Sequence, residues 1–390
     1  MNITFETKSL GDVATYINGR AFKPNEWEKS GIPIIRIQNL TDSNAPCNYS
    51  QKIYDEKFLI QKGDLLFAWA ASLGAHIWQG GDAWLNQHIF KIIPHDNVYK
   101  KYLYYFLLKT IDDLYRKTHG SGMVHITKKP FMSTPIPIPP FTQQERIVSK
   151  IEELFSEIDN VVSSLQEANQ KLAIYRQAAL QNAYSSIENR TFCHLGDILE
   201  SKPKNGYSPK SVAYETPYKN LTLTATTGGI FRDGFYKHID LNIDKDSYLW
   251  VKKNDILIQR ANAIDHVGTA ALYTGMDNQY VYPDLMMKCR TKEGILPSFV
   301  VYQLQSSNCK KYFRKHATGT AGSMPKINQK TVISVPIVIA DIQTQEKTVQ
   351  YIEHQFAACF NLELTIQKTQ ERLTALRQSI LKKAFEGDLI

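Results

Sequence analysis

The sequence predicts an α+β protein: two mixed α/β domains separated by two long antiparallel coiled-coil helices, with an internal pseudo-two-fold duplication. Two observations carry this prediction. An unbroken heptad pattern runs over residues 143–184, and motifs of the first half recur in the second half at a constant spacing. The 390 residues, 43% of them hydrophobic, suffice for two or more buried cores.

Apolar residues in 143–184 recur in alternating steps of four and three, with no proline or glycine between them. This spacing is typical of a coiled-coil helix, and the same pattern closes the chain. The prolines of 135–140 exclude a helix there, and Thr142 with Glu145 is a predicted capping box at the helix start. The predicted coiled-coil interface consists of Ile151, Leu154, Ile158, Leu165 and Leu172 in the first helix and Ile352, Leu362, Ile366, Leu373 and Leu376 in the second.

The tripeptide Leu-Gly-Asp at 10–12 recurs at 195–197, and Lys-Gly-Asp-Leu-Leu at 62–66 returns as Lys-Asn-Asp-Ile-Leu at 253–257. From Met123 and Met324 onward the offset is constant at 201 residues, as it is for Arg176 and Arg377. The chain is therefore predicted to be a tandem duplication. We expect a first globular domain at 1–141, a central spacer helix at 142–188, a second globular domain at 189–341 and a C-terminal spacer helix at 342–390.

Short apolar runs bounded by turn residues predict the strands of both globular parts. Helical spacing with a dense aromatic face predicts one helix in each part. The strands are expected at 32–37, 64–70, 88–93 and 124–127 in the first part and at 256–260 and 281–290 in the second, and the helices at 98–116 and 298–316.

The net charge of +8 lies outside the long helices. Residues 143–184 carry four basic and six acidic side chains, and residues 343–385 carry six basic and four acidic ones, so the two helices together are neutral. Excess positive charge on globular parts favours a phosphate-rich partner, with simple solubility as the alternative.

No catalytic motif is evident. Adenine methyltransferases place Asn or Asp before Pro-Pro-Tyr/Phe, whereas Ile138 precedes Pro139-Pro140-Phe141 here. Nucleotide-binding glycine motifs and clustered carboxylates with a lysine are missing, and the five cysteines show no metal-binding spacing. We expect no cofactor, no metal and no catalytic residues. The lack of a signal pattern and of long apolar runs predicts a cytoplasmic protein without a membrane partner.

Residues suited to DNA follow the central strands and surround two glycine-rich loops. Arg reads guanine and Asn reads adenine, so Arg260 and Asn262 are candidate base readers, and nearby lysines suit phosphates. For each residue alone, an ordinary turn or a solvated helix face is an equal alternative. The candidates are Arg36, Trp69, Ser72, His76, His119, Ser121, His125 and Lys128 in the first part and Lys219, Arg260, Asn262, His266, Lys310, Arg314, Thr320, Ser323 and Lys326 in the second.

The chain resembles the specificity subunit of type I restriction–modification systems. The resemblance rests on the order of globular part and long helix, repeated, on IPIPPFTQQERI at 136–147, and on LRQSILKKAFEGDL at 376–389. It covers essentially the full length. It implies two target-recognition domains, each reading half of a bipartite, asymmetric site on double-stranded DNA.

The resemblance also implies that catalysis belongs to partners. Two methyltransferase subunits would bind this chain and methylate adenine with S-adenosylmethionine, and restriction subunits would join them to translocate and cleave DNA. S-adenosylmethionine, Mg and ATP are therefore expected only in partner subunits. The competing hypotheses are a fused methyltransferase or nuclease with an unrecognised active site, and a coiled-coil scaffold that ignores DNA.

Overall fold

The computed structural model describes residues 5–42, 44–116, 128–319 and 324–389. The chain divides into two compact units: unit 1 comprises Met1–Leu165 and Gln367–Ile390, and unit 2 comprises Gln166–Ile366. Each unit therefore contains one globular part and a segment of each long helix. The four-part division expected from the sequence separates the helices from the globular parts, and it stays a prediction.

The first half of the chain contains β1 (Glu6–Ser9), α1 (Leu10–Val13), β2 (Ala14–Asn18), β3 (Ile32–Ile35), α2 (Ile37–Thr41), β4 (Asn48–Ser50), β5 (Leu59–Ile60), β6 (Leu65–Ala68), β7 (Gly74–Ile77), β8 (Ala83–Leu85), β9 (Ile89–Pro94), α3 (Lys100–Arg116), α4 (Lys128–Met132), β10 (Pro135–Ile138) and the long helix α5 (Phe141–Ser185). The second half contains β11 (Thr191–His194), β12 (Lys204–Asn205), β13 (Lys219–Leu221), β14 (Tyr236–His238), β15 (Ile256–Gln259), β16 (Ala270–Leu272), β17 (Met286–Cys289), α6 (Pro297–Leu304), α7 (Ser307–His316), α8 (Gln329–Ile333), β18 (Pro336–Ile339) and the long helix α9 (Ile342–Glu386).

Unit 1 contains an antiparallel sheet of order β2-β9-β6-β7 and a mixed sheet of order β4-β3-β8-β5, in which β3 and β8 are parallel. Strands β1 and β10 form a separate antiparallel pair. Helix α3 packs against β7, and its buried face holds Tyr102 and Phe106. The ring of Phe385, near the end of α9, contacts both, with centroid distances of 5.0 and 5.2 Å. The C-terminal helix segment is therefore part of the core of unit 1.

Unit 2 contains an antiparallel sheet of order β12-β17-β15-β16 and the separate pairs β13-β14 and β11-β18. Helix α6 packs against β16. The Tyr184 ring of α5 lies 5.1 Å from that of Phe299 in α6, a contact equivalent to that of Phe385 with Tyr102 in unit 1. A second core contains Leu257 and the tyrosines Tyr273, Tyr280 and Tyr282.

The duplication is visible in the turns that precede β6 and β15. Gly63 has a φ of +91° and its counterpart Asn254 a φ of +71°, a left-handed conformation that glycine and asparagine tolerate best. The aspartate that follows accepts a backbone N–H three residues earlier and pairs with a lysine in the neighbouring strand. The lysine–carboxylate distances are 3.0 Å for Asp64 with Lys91 and 3.4 Å for Asp255 with Lys288.

A buried glutamine at the start of each long helix repeats with the same partners. The Gln144 amide donates to the Asn97 and Pro139 carbonyls, both at 2.9 Å, and accepts from the Tyr99 N–H at 2.8 Å. Gln345, 201 residues later, makes the equivalent bonds, to the Gly294 and Ala340 carbonyls and from the Leu296 N–H, at 3.1, 2.9 and 2.9 Å. Gln144 therefore joins the loop before α3 to the segment before α5, and Gln345 joins the loop before α6 to the segment before α9.

The long helices meet within each unit through an arginine over a phenylalanine. In unit 2, the Arg176 guanidinium lies 5.7 Å from the Phe356 ring and pairs with Glu363 at 2.9 Å. In unit 1, the Arg377 guanidinium lies 4.9 Å from the Phe155 ring and pairs with Asp159. Both arginines and both phenylalanines are related by the 201-residue offset, so the duplication extends to the contacts between the helices.

Several local predictions need correction. Strand 32–37 ends at Ile35, because α2 follows, and the expected helix at 298–316 is two helices because the Ser306 hydroxyl caps α7 by accepting the Cys309 N–H. The expected strand at 281–290 is confined to Met286–Cys289. The strand expected at 124–127 lies outside the described residues.

The capping box at Thr142 and Glu145 is wrong. The Gln143 and Gln144 N–H groups donate to the Pro140 carbonyl at 2.8 and 3.1 Å, so the helix begins before Thr142. In the second copy the Asp341 carboxylate caps the helix instead, by accepting the Thr344 N–H at 2.9 Å.

Candidate nucleic-acid interface

The equivalent strands β6 and β15 end at the positions where the strongest candidates lie. Trp69 directly follows β6, and Arg260 directly follows β15. An equivalent turn and an equivalent aspartate precede the two strands, so Trp69 and Arg260 occupy corresponding positions in their own units. Their side chains differ entirely in chemistry.

In unit 2 the Arg260 turn, residues 260–268, joins two other segments. The Ile327 N–H donates to the Arg260 carbonyl at 2.9 Å, and Lys326 exchanges backbone hydrogen bonds with Thr318 at 2.8 and 2.9 Å. At the end of α7, Arg314 pairs with Asp265 of the turn at 3.1 Å. The structure thus brings Arg260, Asn262, His266, Arg314 and Lys326 onto one surface. The candidates Thr320 and Ser323 lie outside the described residues.

The two proposed base readers differ in how far their side chains are already hydrogen-bonded within the protein. One guanidinium nitrogen of Arg260 lies 3.4 Å from the Asp284 carbonyl, a long contact that leaves the remaining donors of the half-buried side chain for a ligand. The Asn262 amide is engaged at both ends: it donates to Gln259 at 2.6 Å and accepts the Ala263 N–H at 2.7 Å. Reading adenine with Asn262 would therefore require breaking two local hydrogen bonds.

Two further lysine candidates of unit 2 are half-buried. Lys310 lies on α7 one turn before Arg314, and burial together with the Arg314 charge lowers the pKa of its ammonium group. Lys219 lies on β13, and its ammonium nitrogen is 4.8 Å from the centre of the Tyr236 ring. The Lys219 ammonium group therefore lies over an aromatic ring, and Lys310 is partly removed from solvent.

In unit 1, Trp69 belongs to an aromatic cluster. Its ring is stacked 5.8 Å from Phe90 and meets His88 edge-on at 4.8 Å, and its indole N–H donates to Asn18 at 3.1 Å. Ala71 in the following loop and His88 have φ values of +59° and +72°. Left-handed non-glycine residues are strained and concentrate at functional sites, so the loop after β6 is a structurally distinctive segment.

The other candidates of unit 1 are spread over its surface. Ser72 is exposed in the loop after β6, and the pKa of half-buried His76 on β7 is lowered by burial. Arg36 is exposed before α2, with its guanidinium 5.9 Å from the Trp27 ring, and Lys128 is exposed at the start of α4. The candidates His119, Ser121 and His125 lie outside the described residues. The described candidates of unit 1 therefore lie on four different segments of the chain.

Two of the expected coiled-coil interface positions have largely exposed side chains, and the interface as a set stays a prediction. Leu362 is 54% exposed and Leu376 is 46% exposed. Of the remaining positions, Ile151, Ile158 and Ile352 are buried and Leu154, Leu165, Leu172, Ile366 and Leu373 are half-buried.

The sequence reasoning overlooked Gln144, Gln345 and Gln259, although the first two stand at matching positions of the repeat. Within the described ranges, no group of three or more His, Cys, Asp or Glu side chains could hold a metal ion. Every described helix is too short or too polar to cross a bilayer.

Fold and sequence comparisons define the class of protein. The structure resembles a chain from "Structural basis underlying complex assembly and conformational transition of the type I R-M system" with a TM-score of 0.69 at 18% identity, covering 99% of this chain and 98% of that one. It also resembles the HsdS subunit from Thermoanaerobacter tengcongensis with a TM-score of 0.53 at 18% identity, covering 100% and 98%. These likenesses confirm the predicted fold class, a mixed α/β protein with two long helices.

Sequence relatives agree. The chain is 26% identical to the Type I restriction enzyme EcoBI specificity subunit of Escherichia coli, over 98% of this chain and 85% of that protein. It is 22% identical to the EcoKI specificity subunit of Escherichia coli strain K12, over 97% and 88%. The family model described as Type I restriction modification DNA specificity domain matches twice, at residues 2–170 and 188–372.

The chain therefore belongs to the type I restriction–modification DNA specificity family. This confirms the resemblance inferred from the sequence: the chain is a recognition subunit for DNA sequence and not a catalytic one.

Proposed function

We propose that this specificity subunit reads a bipartite, asymmetric site on double-stranded DNA, with one half-site contacted by each unit. The observation that carries the proposal is that the two units share their supporting contacts but differ in the residue that follows β6 or β15. The hydrogen bonds of Gln144 and Gln345 (the glutamine clamps) repeat in both units, as do the ion pairs of Asp64 and Asp255. In contrast, Trp69 of unit 1 occupies the position of Arg260 in unit 2. Equivalent frameworks that present different side chains are suited to two different half-sites.

In unit 2 we assign base reading to Arg260 of the Arg260 turn and phosphate contact to Lys326 and Arg314. Arg314 is paired with a largely exposed aspartate, an ion pair that solvent screens and that a phosphate can replace at small cost. Asn262, His266, Lys219, Lys310, Thr320 and Ser323 complete the proposed set.

In unit 1, we assign DNA contact to the loop after β6, with Ser72 and the accessible part of Trp69. The indole is held by Asn18 and stacked on Phe90, so its position is fixed before any ligand arrives. Arg36, His76, Lys128 and the candidates His119, Ser121 and His125 complete the proposed set for this unit.

Partner subunits supply the chemistry in this proposal. Two methyltransferase subunits bind the chain and methylate adenine with S-adenosylmethionine, and restriction subunits that use ATP and Mg cleave the DNA, all in the cytoplasm. The segments 142–188 and 342–390 act as spacer helices between target-recognition domains at 1–141 and 189–341. The exposed side chains of Leu362 and Leu376 on α9 are placed to contact a methyltransferase subunit.

The test uses the chain co-purified with its methyltransferase subunits. Methylated positions in DNA from expressing cells identify the motif, and binding to single-base variants of that motif is measured across a salt series. Arg260→Ala should relax one position of one half-site, at about 1–3 kcal/mol, and leave the other half-site unchanged. Arg260→Lys keeps the charge but lacks the planar fork, so it should keep the salt dependence and still lose discrimination.

An equal loss of affinity on every sequence, with a smaller salt slope, would mean that Arg260 touches phosphate. The absence of any methylated motif or sequence preference in the wild-type complex would refute the proposed function itself.

A further inference from the structure

A short loop of unit 2 is held rigidly but leaves two contrasting side chains exposed. Residues 223–232 connect β13 to β14, and the Arg232 N–H closes the loop by donating to the Ala225 carbonyl at 2.8 Å. Inside it, the Gly229 N–H donates to the Thr226 carbonyl at 2.9 Å. We call this segment the Gly229 loop.

One side of the Gly229 loop is fixed by Gln259, the fully buried last residue of β15. Its amide nitrogen lies 2.9 Å from the Leu223 carbonyl and 3.0 and 3.1 Å from the hydroxyls of Thr226 and Thr227. The amide oxygen of the same side chain accepts from Asn262. One buried glutamine therefore joins the Gly229 loop to the Arg260 turn. The position that corresponds to Gln259 in unit 1 is Ala68, which cannot make such bonds.

The other side is fixed by Gln305, which follows α6. Its amide donates to the Gly229 carbonyl at 2.6 Å and to the Ala270 carbonyl at 3.0 Å. Gly229 has a φ of +75°, and a Cβ there would lie 3.1 Å from the Gln305 amide nitrogen, so glycine is needed on both grounds. Phe231 anchors the loop to the core, with its ring 4.6 Å from that of Tyr273.

The residues on either side of Phe231 point away from that core. Ile230 is 69% exposed, and Arg232 is exposed. Asp233, the next residue, accepts from the Tyr280 hydroxyl and the Gly234 N–H, and it forms no ion pair with Arg232. Among the described residues, the Arg232 guanidinium has no hydrogen bond or ion pair.

We propose that the Gly229 loop is a second base-reading element of unit 2, in which Arg232 reads a guanine and Ile230 contacts a neighbouring thymine methyl group. A guanidinium matches the acceptor edge of guanine, and an apolar side chain matches the methyl group of thymine. Fixing the loop in advance lowers the entropy lost when it binds DNA. The proposal rests on the proposed function and extends it to residues that the Arg260 turn does not include.

The experiment uses the complex with methyltransferase subunits and duplexes that carry every single-base change in the identified motif. Arg232→Ala should reduce discrimination at one G·C pair by about 5- to 150-fold. Ile230→Ala should reduce discrimination at a single neighbouring A·T pair, by less. Both residues are exposed, so the fold should persist, which thermal unfolding of each variant checks.

Arg232→Lys and Met276→Ala are the matched controls. The lysine variant keeps the charge without the fork and should lose the same discrimination. Met276 is 71% exposed on a turn of the same unit, and its replacement should leave binding unchanged.

Unchanged discrimination in both loop variants, with a wild-type complex that is sequence-specific, would overturn the proposal and leave the proposed function standing. A uniform loss on all duplexes with a reduced salt slope would also overturn it, because Arg232 would then contact phosphate. A wild-type complex without sequence preference would instead refute the proposed function.

Discussion

Gln144→Leu should destabilise unit 1 and leave unit 2 unchanged. Leucine has nearly the volume of glutamine but none of its hydrogen-bonding groups, so the variant leaves three backbone groups without their partner. The bond to Pro139 is fully buried, and those to Asn97 and Tyr99 are partly buried. An unsatisfied buried group costs about 1–3 kcal/mol, and the two partly buried ones recover some of this from water, so we expect a loss of about 3 kcal/mol.

Hydrogen exchange localises this loss. The Tyr99 amide donates directly to Gln144, and the Leu296 amide donates to Gln345. Gln144→Leu should speed exchange around Tyr99 by about 100-fold, the equivalent of about 3 kcal/mol, without changing exchange around Leu296. Gln345→Leu should produce the reciprocal result.

Gln143→Leu is the control, since this neighbouring side chain makes no hydrogen bond within the described part of the chain. The reasoning fails if Gln144→Leu leaves exchange around Tyr99 within about threefold of the wild-type rate, or if Gln143→Leu has an equal effect.

Three further predictions concern stability, each measured as a shift of the urea unfolding midpoint. Asp255→Asn should cost about 2–3 kcal/mol, because it leaves Lys288 and the partly exposed Arg290 without their buried carboxylate. Asp64→Asn should cost less, because that carboxylate is more exposed and pairs with one lysine; equal losses would contradict this ranking. Burial lowers the pKa of His76. Its contribution to stability is therefore present above the unfolded-state pKa, near 6.5, and is lost as pH falls through the lower folded-state value. His76→Gln should remove this loss of stability at low pH, and an unaltered pH profile would exclude His76 as its source.

Periodicity and repetition made the framework predictable. The heptad pattern located α5 and α9, and short apolar runs bounded by turn residues located β6, β9 and β15, because these signals depend only on neighbouring residues. The roles of Gln144 and Gln345 could not be read in this way. Two of the three partners of each glutamine lie tens of residues earlier in the chain, so those bonds exist only once the loop and the helix have come together.

Sequence reasoning selected residues that the structure brings close together, but it did not reveal which of their side chains are already hydrogen-bonded. Arg260 and Asn262 were chosen by side-chain type, and the turn they occupy does join α7 and the segment at Lys326. The engagement of the Asn262 amide by Gln259 could not be foreseen, since it depends on a side-chain conformation. Leu362 and Leu376 are largely exposed, whereas Ile352, Ile366 and Leu373 of the same predicted seam are buried or half-buried, a difference that apolar spacing alone does not reveal.

Exchanging single residues between the units should not exchange their specificities, because the residues that follow β6 and β15 have different supporting contacts. Arg260 lies beside the Asp284 carbonyl, and Gln259 before it joins the Gly229 loop to the turn. Trp69 instead lies on Phe90, with Ala68 before it. An arginine placed at position 69 would lose the indole's contacts without gaining those of Arg260. Each of these two candidate recognition residues depends on its own supporting side chains, whereas the contacts of Gln144 and Gln345 are common to both units. We therefore expect specificity to change when a whole loop and its supporting residues are replaced, and not by single substitutions.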